Sequence, residues 1–128
     1  ETSATMAPLG LVEWIEGEGL LHLVAALSAS GPAFLYRFVD ALGIAAARLG
    51  LAPDLAARLA LATVEGSALL AAGSSDAPPV LADRVASKGG MTREGLNSLD
   101  DGEALIRLLM STLDAATRRS IEIGKAVR

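Results

Sequence analysis

Two adjacent glycines that precede a threonine are the residues of this sequence best suited to chemistry. They lie in the stretch SKGGMTREGL, residues 87–96, where a new helical pattern begins. A glycine turn that leads into a helix can expose several backbone N–H groups at the positive end of the helix dipole. The amides around Ser87, Gly90 and Met91 can therefore hold a carboxylate, and the Thr92 hydroxyl offers one further hydrogen bond. A plain glycine turn with a threonine cap and no ligand fits the same residues.

Other catalytic patterns in the sequence are incomplete. Gly17-Glu18-Gly19 begins like a dinucleotide fingerprint, but His22 stands where the third glycine belongs and no βαβ unit surrounds it. His22 has no carboxylate placed by the sequence to orient it as a base, so we interpret it as a helix-surface or interface residue. With one histidine and no cysteine, the sequence predicts no metal site and no catalytic triad.

The composition narrows the class of protein. At 128 residues the chain is long enough for one domain and too short for two of ordinary size. A net charge of −4 gives no basic face, so we expect no nucleic-acid partner. Ser30-Gly31-Pro32 breaks the longest uncharged run, residues 19–36, and the first ten residues lack a signal-peptide pattern. We therefore expect no membrane segment and a cytoplasmic location, with which the absence of cysteine is compatible.

The elements that position these residues are predicted to be helices. Hydrophobic residues make up 52% of the chain and aromatic residues 3%, so small and aliphatic side chains must form a closely packed core. Strand-like alternation is confined to LVEWI, residues 11–15. The spacing predicts an all-α bundle of about six helices. They cover about residues 20–27, 33–49, 53–72, a segment capped by Ser75 or Asp76 and ending near Val85, a segment capped by Thr92 and ending at 100–102, and 103–127.

The third predicted helix carries more apolar surface than a single core-facing stripe requires. Its apolar residues are spread around most of the helix circumference: Leu55, Leu59, Ala60, Ala62, Val64, Leu69 and Leu70. In a domain of this size the excess favours burial against a partner subunit. We therefore predict an intertwined homodimer.

Two segments together resemble the signatures of pyrroline-5-carboxylate reductase. They are ALSASGPAF at residues 26–34 and DRVASKGGMTREGL at residues 83–96. The family typically reads A-L-S-G-S-G-P-A-Y/F at the first place and V-x-S-P-G-G-T/A-T-x-x-G-L at the second. LGLAPDLAARLALATVEGSA and the closing RRSIEIGK are similar to further family segments. The resemblance covers about residues 9–126 in the right order.

The resemblance implies a fold, an activity and a cofactor. Family members reduce 1-pyrroline-5-carboxylate to L-proline with NADPH or NADH, the last step of proline biosynthesis. An N-terminal Rossmann domain binds the dinucleotide, and an all-helical domain like the C-terminal domain of 6-phosphogluconate dehydrogenase forms an interlocked dimer and the substrate site. By this resemblance, residues 1–19 are a residual linker from the cofactor domain and residues 20–128 are the dimerisation and substrate-binding domain.

The resemblance also assigns the substrate loop. Ser87, Gly89, Gly90, Met91 and Thr92 correspond to the family's loop, whose backbone amides hold the substrate carboxylate. The same comparison places Thr92 towards the ring nitrogen as a catalytic hydrogen-bonding group. No residue of this chain is expected to bind the cofactor or a metal, so the isolated chain should not turn over.

This sequence departs from the family pattern in its substrate loop and in its first signature. Lys88 stands in place of the usual proline, and Met91 fills a position that is usually small. Ala29 replaces a glycine, and Ala25 a frequent threonine. Two alternatives follow: a natural or engineered homodimerisation module that binds no substrate, and a domain of a related reductase acting on another cyclic imine. The resemblance leaves the choice of NADPH or NADH, and assembly of dimers into rings, open.

Overall fold

The computed structural model describes residues 2–127, except the side chain of residue 9, and this part of the chain is helical without a strand. Its α-helices are α1 (Thr2–Met6), α2 (Leu21–Ser28), α3 (Gly31–Arg48), α4 (Pro53–Gly73), α5 (Pro78–Val85), α6 (Met91–Asp100) and α7 (Ala104–Ala126). Short 3₁₀ turns cover Ala7–Leu9, Glu18–Leu20 and Asp101–Glu103. The prediction of an all-α fold is therefore confirmed.

The six predicted helices correspond to α2 through α7, with bounds that differ by a few residues. The five-residue helix α1 was not predicted; it lies inside the stretch 1–19 that we interpret as a linker. Residues 1 and 128, which belong to the predicted linker and domain, lie outside the described residues. The linker and domain boundary at residues 19 and 20 stays a prediction.

Two predicted helix caps are wrong. Helix α5 is preceded by Ala77, without a side-chain cap, rather than by Ser75 or Asp76. The backbone N–H of Asp76 donates to the Ser74 hydroxyl at 3.1 Å, and the Asp76 carboxylate pairs with Arg84. The backbone amide and the carboxylate of Asp76 are therefore both bonded to other groups, and the carboxylate does not cap α5. The second error concerns Thr92 and is described with the site.

The chain divides into two units, residues 1–30 with 113–128, and residues 31–112. In the first unit, α2 lies against the C-terminal part of α7. The Nδ1 atom of His22 and the hydroxyl of Ser120 are 2.8 Å apart and share a hydrogen bond. A Cβ atom at Gly124 would lie 3.6 Å from the His22 ring, so this glycine leaves room for the imidazole. His22 thus joins two helices in this unit.

The second unit is organised by the antiparallel pair α3 and α4. Helix α3 ends before Gly50, whose φ of 118° is accessible to glycine at little cost, and α4 begins at Pro53. Gly43 is buried where the helices cross, and a Cβ atom there would lie 3.3 Å from the Cα atom of Ala57. The absence of a side chain at residue 43 therefore lets the two backbones approach closely.

Large apolar side chains are left uncovered on the single chain. The buried apolar side chains of the described residues are all alanines: Ala26, Ala56, Ala60 and Ala86. On α4, by contrast, Leu61, Leu69 and Leu70 are 58%, 68% and 69% exposed. Leucine is normally among the most buried residue types, and contiguous exposed apolar patches mark interaction surfaces. Helix α4 therefore presents an apolar face that this chain does not cover.

Two helical stretches, Glu18–Arg48 and Pro53–Gly73, are long and apolar enough to cross a membrane by length and composition alone. The first contains the break between α2 and α3, and the second carries Arg58 and Glu65. Charged side chains at the centre of a bilayer are costly. Helices that pack inside proteins meet the same criterion, so a membrane and a protein partner are two ways to cover this surface.

Candidate functional site

A tight turn joins α5 to α6 through Ser87, Lys88, Gly89 and Gly90. The Gly90 amide donates to the carbonyl oxygen of Ser87 at 3.1 Å, which closes the turn. Gly89 has a φ of 69°, whereas Lys88 is not among the residues with positive φ. A negative φ followed by a positive φ is typical of a type II turn, which requires glycine or asparagine at its third residue. The first of the two adjacent glycines is thus explained by backbone conformation.

The second glycine is explained by space. Gly90 has φ of −84° and ψ of 169°, a conformation that any residue adopts. A Cβ atom built at this position would, however, collide with the hydroxyl of Ser87 and lie 3.3 Å from the Ser87 carbonyl oxygen. Ser87 therefore restricts residue 90 to glycine as long as its side chain keeps this rotamer.

Helix α6 starts with three backbone N–H groups that have no acceptor within the helix. Gly90 is the residue before the helix, and the first helical hydrogen bond runs from the Glu94 amide to the Gly90 oxygen, at 3.2 Å. The amides of Met91, Thr92 and Arg93 precede that bond and lie at the positive end of the helix dipole. An anion is stabilised at such a position.

The prediction of amide donors changes in one respect. The Gly90 N–H, predicted to face a ligand, donates to Ser87 inside the turn. The unused donors are the amides of the first helical turn, so the candidate anion site consists of Met91, Thr92 and Arg93. Arg93 was not predicted as a donor, because a backbone amide is not specific to any residue type. The residue at which the helix begins decides which amides are unused, and the structure shows that this residue is Met91.

Thr92 is not the cap of α6, so that prediction is wrong. The helix begins at Met91, and the capping residue Gly90 has no side chain to accept a hydrogen bond. Thr92 is therefore the second residue of the helix, half-buried, and its hydroxyl has no hydrogen-bond partner within residues 2–127. A hydroxyl beside the unused amides is available to a ligand.

Two ion pairs connect the segments around the turn. The Arg93 guanidinium donates to the Asp83 carboxylate at 2.8 Å and so connects α6 to α5. Arg84 pairs with Asp76 at the start of α5. Ion pairs on one helix surface are recognised in a sequence by a spacing of three or four residues. Asp83 and Arg93 are ten residues apart, so their pairing gives no local sequence signal. Sequence reasoning therefore missed this connection.

The side chains beside the helix start are open to solvent. Met91 is 91% exposed, and Lys88 and Gly89 are exposed as well. No group of three or more histidine, aspartate or glutamate residues that can hold a metal occurs within residues 2–127. His22 belongs to the other unit, where it is bonded to Ser120. The arrangement at α6 can bind and orient a small anion.

The described residues are helical, with unused amides at the start of α6 and an uncovered apolar face on α4. The family model for pyrroline-5-carboxylate reductase dimerisation matches residues 18–123. The chain therefore belongs to the pyrroline-5-carboxylate reductase dimerisation family, and the resemblance inferred from its two signature segments is confirmed.

Individual relatives agree with this family. The pyrroline-5-carboxylate reductase of Pseudomonas aeruginosa is 34% identical over 122 residues, which cover 94% of this chain and 44% of that protein. The Pisum sativum reductase is 37% identical over 111 residues, 87% of this chain and 40% of that protein. The chain spans about two fifths of the length of these relatives.

Solved structures show the same likeness in three dimensions. A pyrroline-5-carboxylate reductase from Coxiella burnetii superposes with a TM-score of 0.82 at 36% identity, covering 94% of this chain and 44% of that one. The Plasmodium falciparum pyrroline carboxylate reductase with NADP bound gives a TM-score of 0.78 at 29% identity, covering 96% and 46%. The helical fold of this chain is therefore shared with these reductases.

Proposed function

We propose that this chain is the dimerisation and substrate-binding part of a pyrroline-5-carboxylate reductase, which reduces 1-pyrroline-5-carboxylate to L-proline. One observation carries the assignment of the site. In a chain of this family, the unpartnered Thr92 hydroxyl lies beside the unused amides at the start of α6. A small cyclic carboxylate offers the anion and the ring nitrogen that these two kinds of group can bind.

The residues of this chain bind and orient the substrate. The substrate carboxylate accepts hydrogen bonds from the first-turn amides of α6, and the turn formed by Ser87, Gly89 and Gly90 keeps that helix end open. The Thr92 hydroxyl then faces the ring nitrogen, where it holds the imine in position for reduction. Fixing the orientation of a reacting group can lower the barrier by several kcal/mol.

A nicotinamide cofactor supplies the hydride in this proposal. Within residues 2–127 there is no strand, and so no strand-turn-helix unit to hold a dinucleotide pyrophosphate. The described residues therefore do not fit NADPH or NADH, and we assign no cofactor-binding residue to them. The 128-residue chain alone is expected to give no NADPH-dependent reduction of the imine; measurable turnover would contradict this assignment.

We propose a second copy of the chain as the partner that covers α4. Two observations support it: the leucines of α4 are exposed on one chain, and the matching family model is one of dimerisation. In this proposal residues 20–128 form the interlocked domain, residues 1–19 link it to the cofactor-binding part, and dimers can assemble into rings. A cytoplasmic location fits such a reductase.

Ligand binding is tested by titrating the chain with L-proline and following backbone amide shifts by NMR. We expect progressive shifts at Met91, Thr92 and Arg93, the donors of the helix start. L-Prolinamide, which lacks the carboxylate, is the matched control ligand and should shift these amides much less. Unchanged amides at tens of millimolar L-proline would contradict the substrate-binding role.

A homodimerisation module without a substrate is the second candidate. The observation that favours it is Met91, a large apolar side chain that is 91% exposed at the entrance to the helix start. The same titration separates the two candidates, because the module dimerises without responding to L-proline. A relative acting on another cyclic imine would respond more strongly to a carboxylate with a different ring size.

A further inference from the structure

Glu103 lies at the junction of α6 and α7 in a backbone conformation that is unusual for its residue type. Its φ is 57°, and it is the one non-glycine residue with a positive φ within residues 2–127. In the left-handed region the Cβ atom of an ordinary residue lies too close to the following carbonyl oxygen, a contact that glycine avoids. The backbone at Glu103 is therefore strained.

No contact of the Glu103 side chain compensates for this strain. The side chain is exposed and makes no hydrogen bond or ion pair with the part of the chain that the structure describes. Gly102, the residue before it, has a φ of 57° and a ψ of 26°, which interrupts the helical path between α6 and α7. Glycine adopts this conformation at little cost. The strain at the kink is thus concentrated at Glu103.

Helix α7 has an uncovered apolar face directly after this kink. Ile106, Leu109 and Met110 lie on one side of the helix, because they are three and four residues apart, and all three are exposed. The family model for dimerisation matches residues 18–123 and so includes this face. In the proposed homodimer, the second copy covers α7 as well as α4.

An interlocked dimer cannot form or separate by rigid-body movement alone, because part of one chain must pass the other. Elements that are exchanged between protomers move about a short connection, and strain in that connection favours the movement. Residues 101–103 are the connection that precedes the uncovered face of α7. When this connection opens and Glu103 leaves the left-handed region, its strain is released.

We propose that residues 101–103 form the hinge at which α7 opens when two copies of the chain assemble or separate, and that the strain at Glu103 accelerates this step. This role of the hinge rests on the proposed homodimer. It adds to the dimer the place at which the chain opens. The rate at which copies exchange is then governed by one backbone conformation and not only by the extent of the apolar interface.

Relief of the strain should slow the exchange of copies between dimers. Glu103→Gly stabilises the closed hinge without stabilising the open one, so exchange should be about five- to thirtyfold slower, which corresponds to about 1–2 kcal/mol in the barrier. Gly102→Ala introduces the same strain at the preceding residue, where a Cβ atom meets no other atom within 4 Å. Exchange should therefore be faster in Gly102→Ala.

The test uses the full 128-residue chain in an unlabelled and an isotope-labelled form. Dimers of the two forms are mixed, and native mass spectrometry follows the appearance of mixed dimers. Glu103→Gln keeps the strain and removes the charge, and it should exchange as the original chain does. Gly95→Ala stabilises α6 away from the hinge and should also leave the rate unchanged. Circular dichroism confirms that each variant is folded.

The alternatives to a strained hinge give different patterns among these variants. An unchanged rate in Glu103→Gly would overturn the hinge. Equal slowing by Glu103→Gly and Gly95→Ala would also overturn it, because exchange would then follow the general stability of the chain. Slowing by Glu103→Gln would assign the effect to charge instead of strain. If light scattering shows the original chain to be a monomer, the proposed homodimer fails, and the hinge fails with it.

Discussion

The hydroxyl of Ser87 occupies the space that a Cβ atom at Gly90 would fill, while the Gly90 amide donates to the Ser87 carbonyl oxygen at 3.1 Å. The two residues therefore constrain each other through both backbone and side chain. The turn they close sets the start of α6, and with it the direction of the unused amides.

The contact between these residues predicts a non-additive pair of substitutions. Gly90→Ala should lower the free energy of unfolding by about 1–2 kcal/mol, because the new methyl group displaces Ser87. In a Ser87→Ala background the same change should cost markedly less, since the colliding hydroxyl is gone. Urea unfolding of the two single variants and the double variant measures the coupling.

Gly95→Ala is the matched control for this cycle. A Cβ atom at Gly95, inside α6, meets no other atom within 4 Å. Replacing a helical glycine by alanine stabilises by about 0.5–1 kcal/mol. Strict additivity of Gly90→Ala and Ser87→Ala would show that the serine rotamer described here does not restrict residue 90.

Thr92→Ala should affect binding more than stability. Because Gly90 rather than Thr92 precedes the helix, no cap is lost, and we expect the free energy of unfolding to change by less than about 0.5 kcal/mol. Loss of a hydrogen bond to the ligand should weaken L-proline binding about five- to tenfold, corresponding to about 1–1.5 kcal/mol. NMR titration and urea unfolding measure the two effects.

Thr63→Ala provides the control for this prediction. Thr63 lies in α4, and its hydroxyl donates to the Leu59 carbonyl oxygen at 2.7 Å within the same helix. Its removal should leave L-proline affinity unchanged. If Thr92→Ala lost 1 kcal/mol or more of stability with unaltered affinity, a structural role for Thr92 would replace the binding role.

The close approach of α3 and α4 predicts a specific cost at Gly43. A Cβ atom there lies 3.3 Å from backbone of Ala57, which cannot rotate away as a side chain can. We expect Gly43→Ala to destabilise by about 1 kcal/mol despite its better helix propensity, because overpacking outweighs that gain. Thermal or urea unfolding tests this value.

Gly66→Ala separates packing from propensity. Gly66 lies within α4 and has open space around it in the single chain. The substitution should stabilise by about 0.5–1 kcal/mol from propensity alone. If Gly66→Ala instead weakens association, the second copy must approach α4 closely at this residue.

The exposed leucines of α4 predict the oligomeric state. Light scattering should give a mass of twice 13.0 kDa or a multiple of it. Leu69→Lys should shift the protein towards the monomer, because a charge replaces a side chain that the partner buries. Leu49→Lys, at a more exposed leucine outside α4, is the control and should keep the mass. A monomer before any substitution would contradict the dimer.

Much of the fold was predictable from the sequence, because proline and glycine mark the ends of its helices. Pro53 and Gly50 bracket the turn between α3 and α4 as expected. Helix α1 was not predictable, since the five residues TSATM have no apolar periodicity. The predicted cap at Asp76 is wrong because its carboxylate pairs with Arg84, and the predicted cap at Thr92 is wrong because the helix already begins at Met91.

The turn and the helix start of the candidate site were predictable from the sequence, whereas the amides left unused there were not. The pair Gly89 and Gly90 before a helix indicated an anion site directly. The Gly90 amide donates to the Ser87 carbonyl oxygen because of the turn type. The turn type itself depends on the positive φ of Gly89. The link from Arg93 to Asp83 joins two helices, and such long-range pairs leave no periodic signal in one sequence.

The proposed dimer makes the folding of this chain depend on its concentration. Burying one methyl group contributes roughly 1 kcal/mol, so Ala26, Ala56, Ala60 and Ala86 stabilise a lone chain only weakly. When association supplies the remaining burial, the chain folds and assembles in one equilibrium, and its thermal midpoint rises with protein concentration. In a cell, the folded fraction then falls when the concentration of newly made chains is low, and the unfolded chains are degraded by proteases.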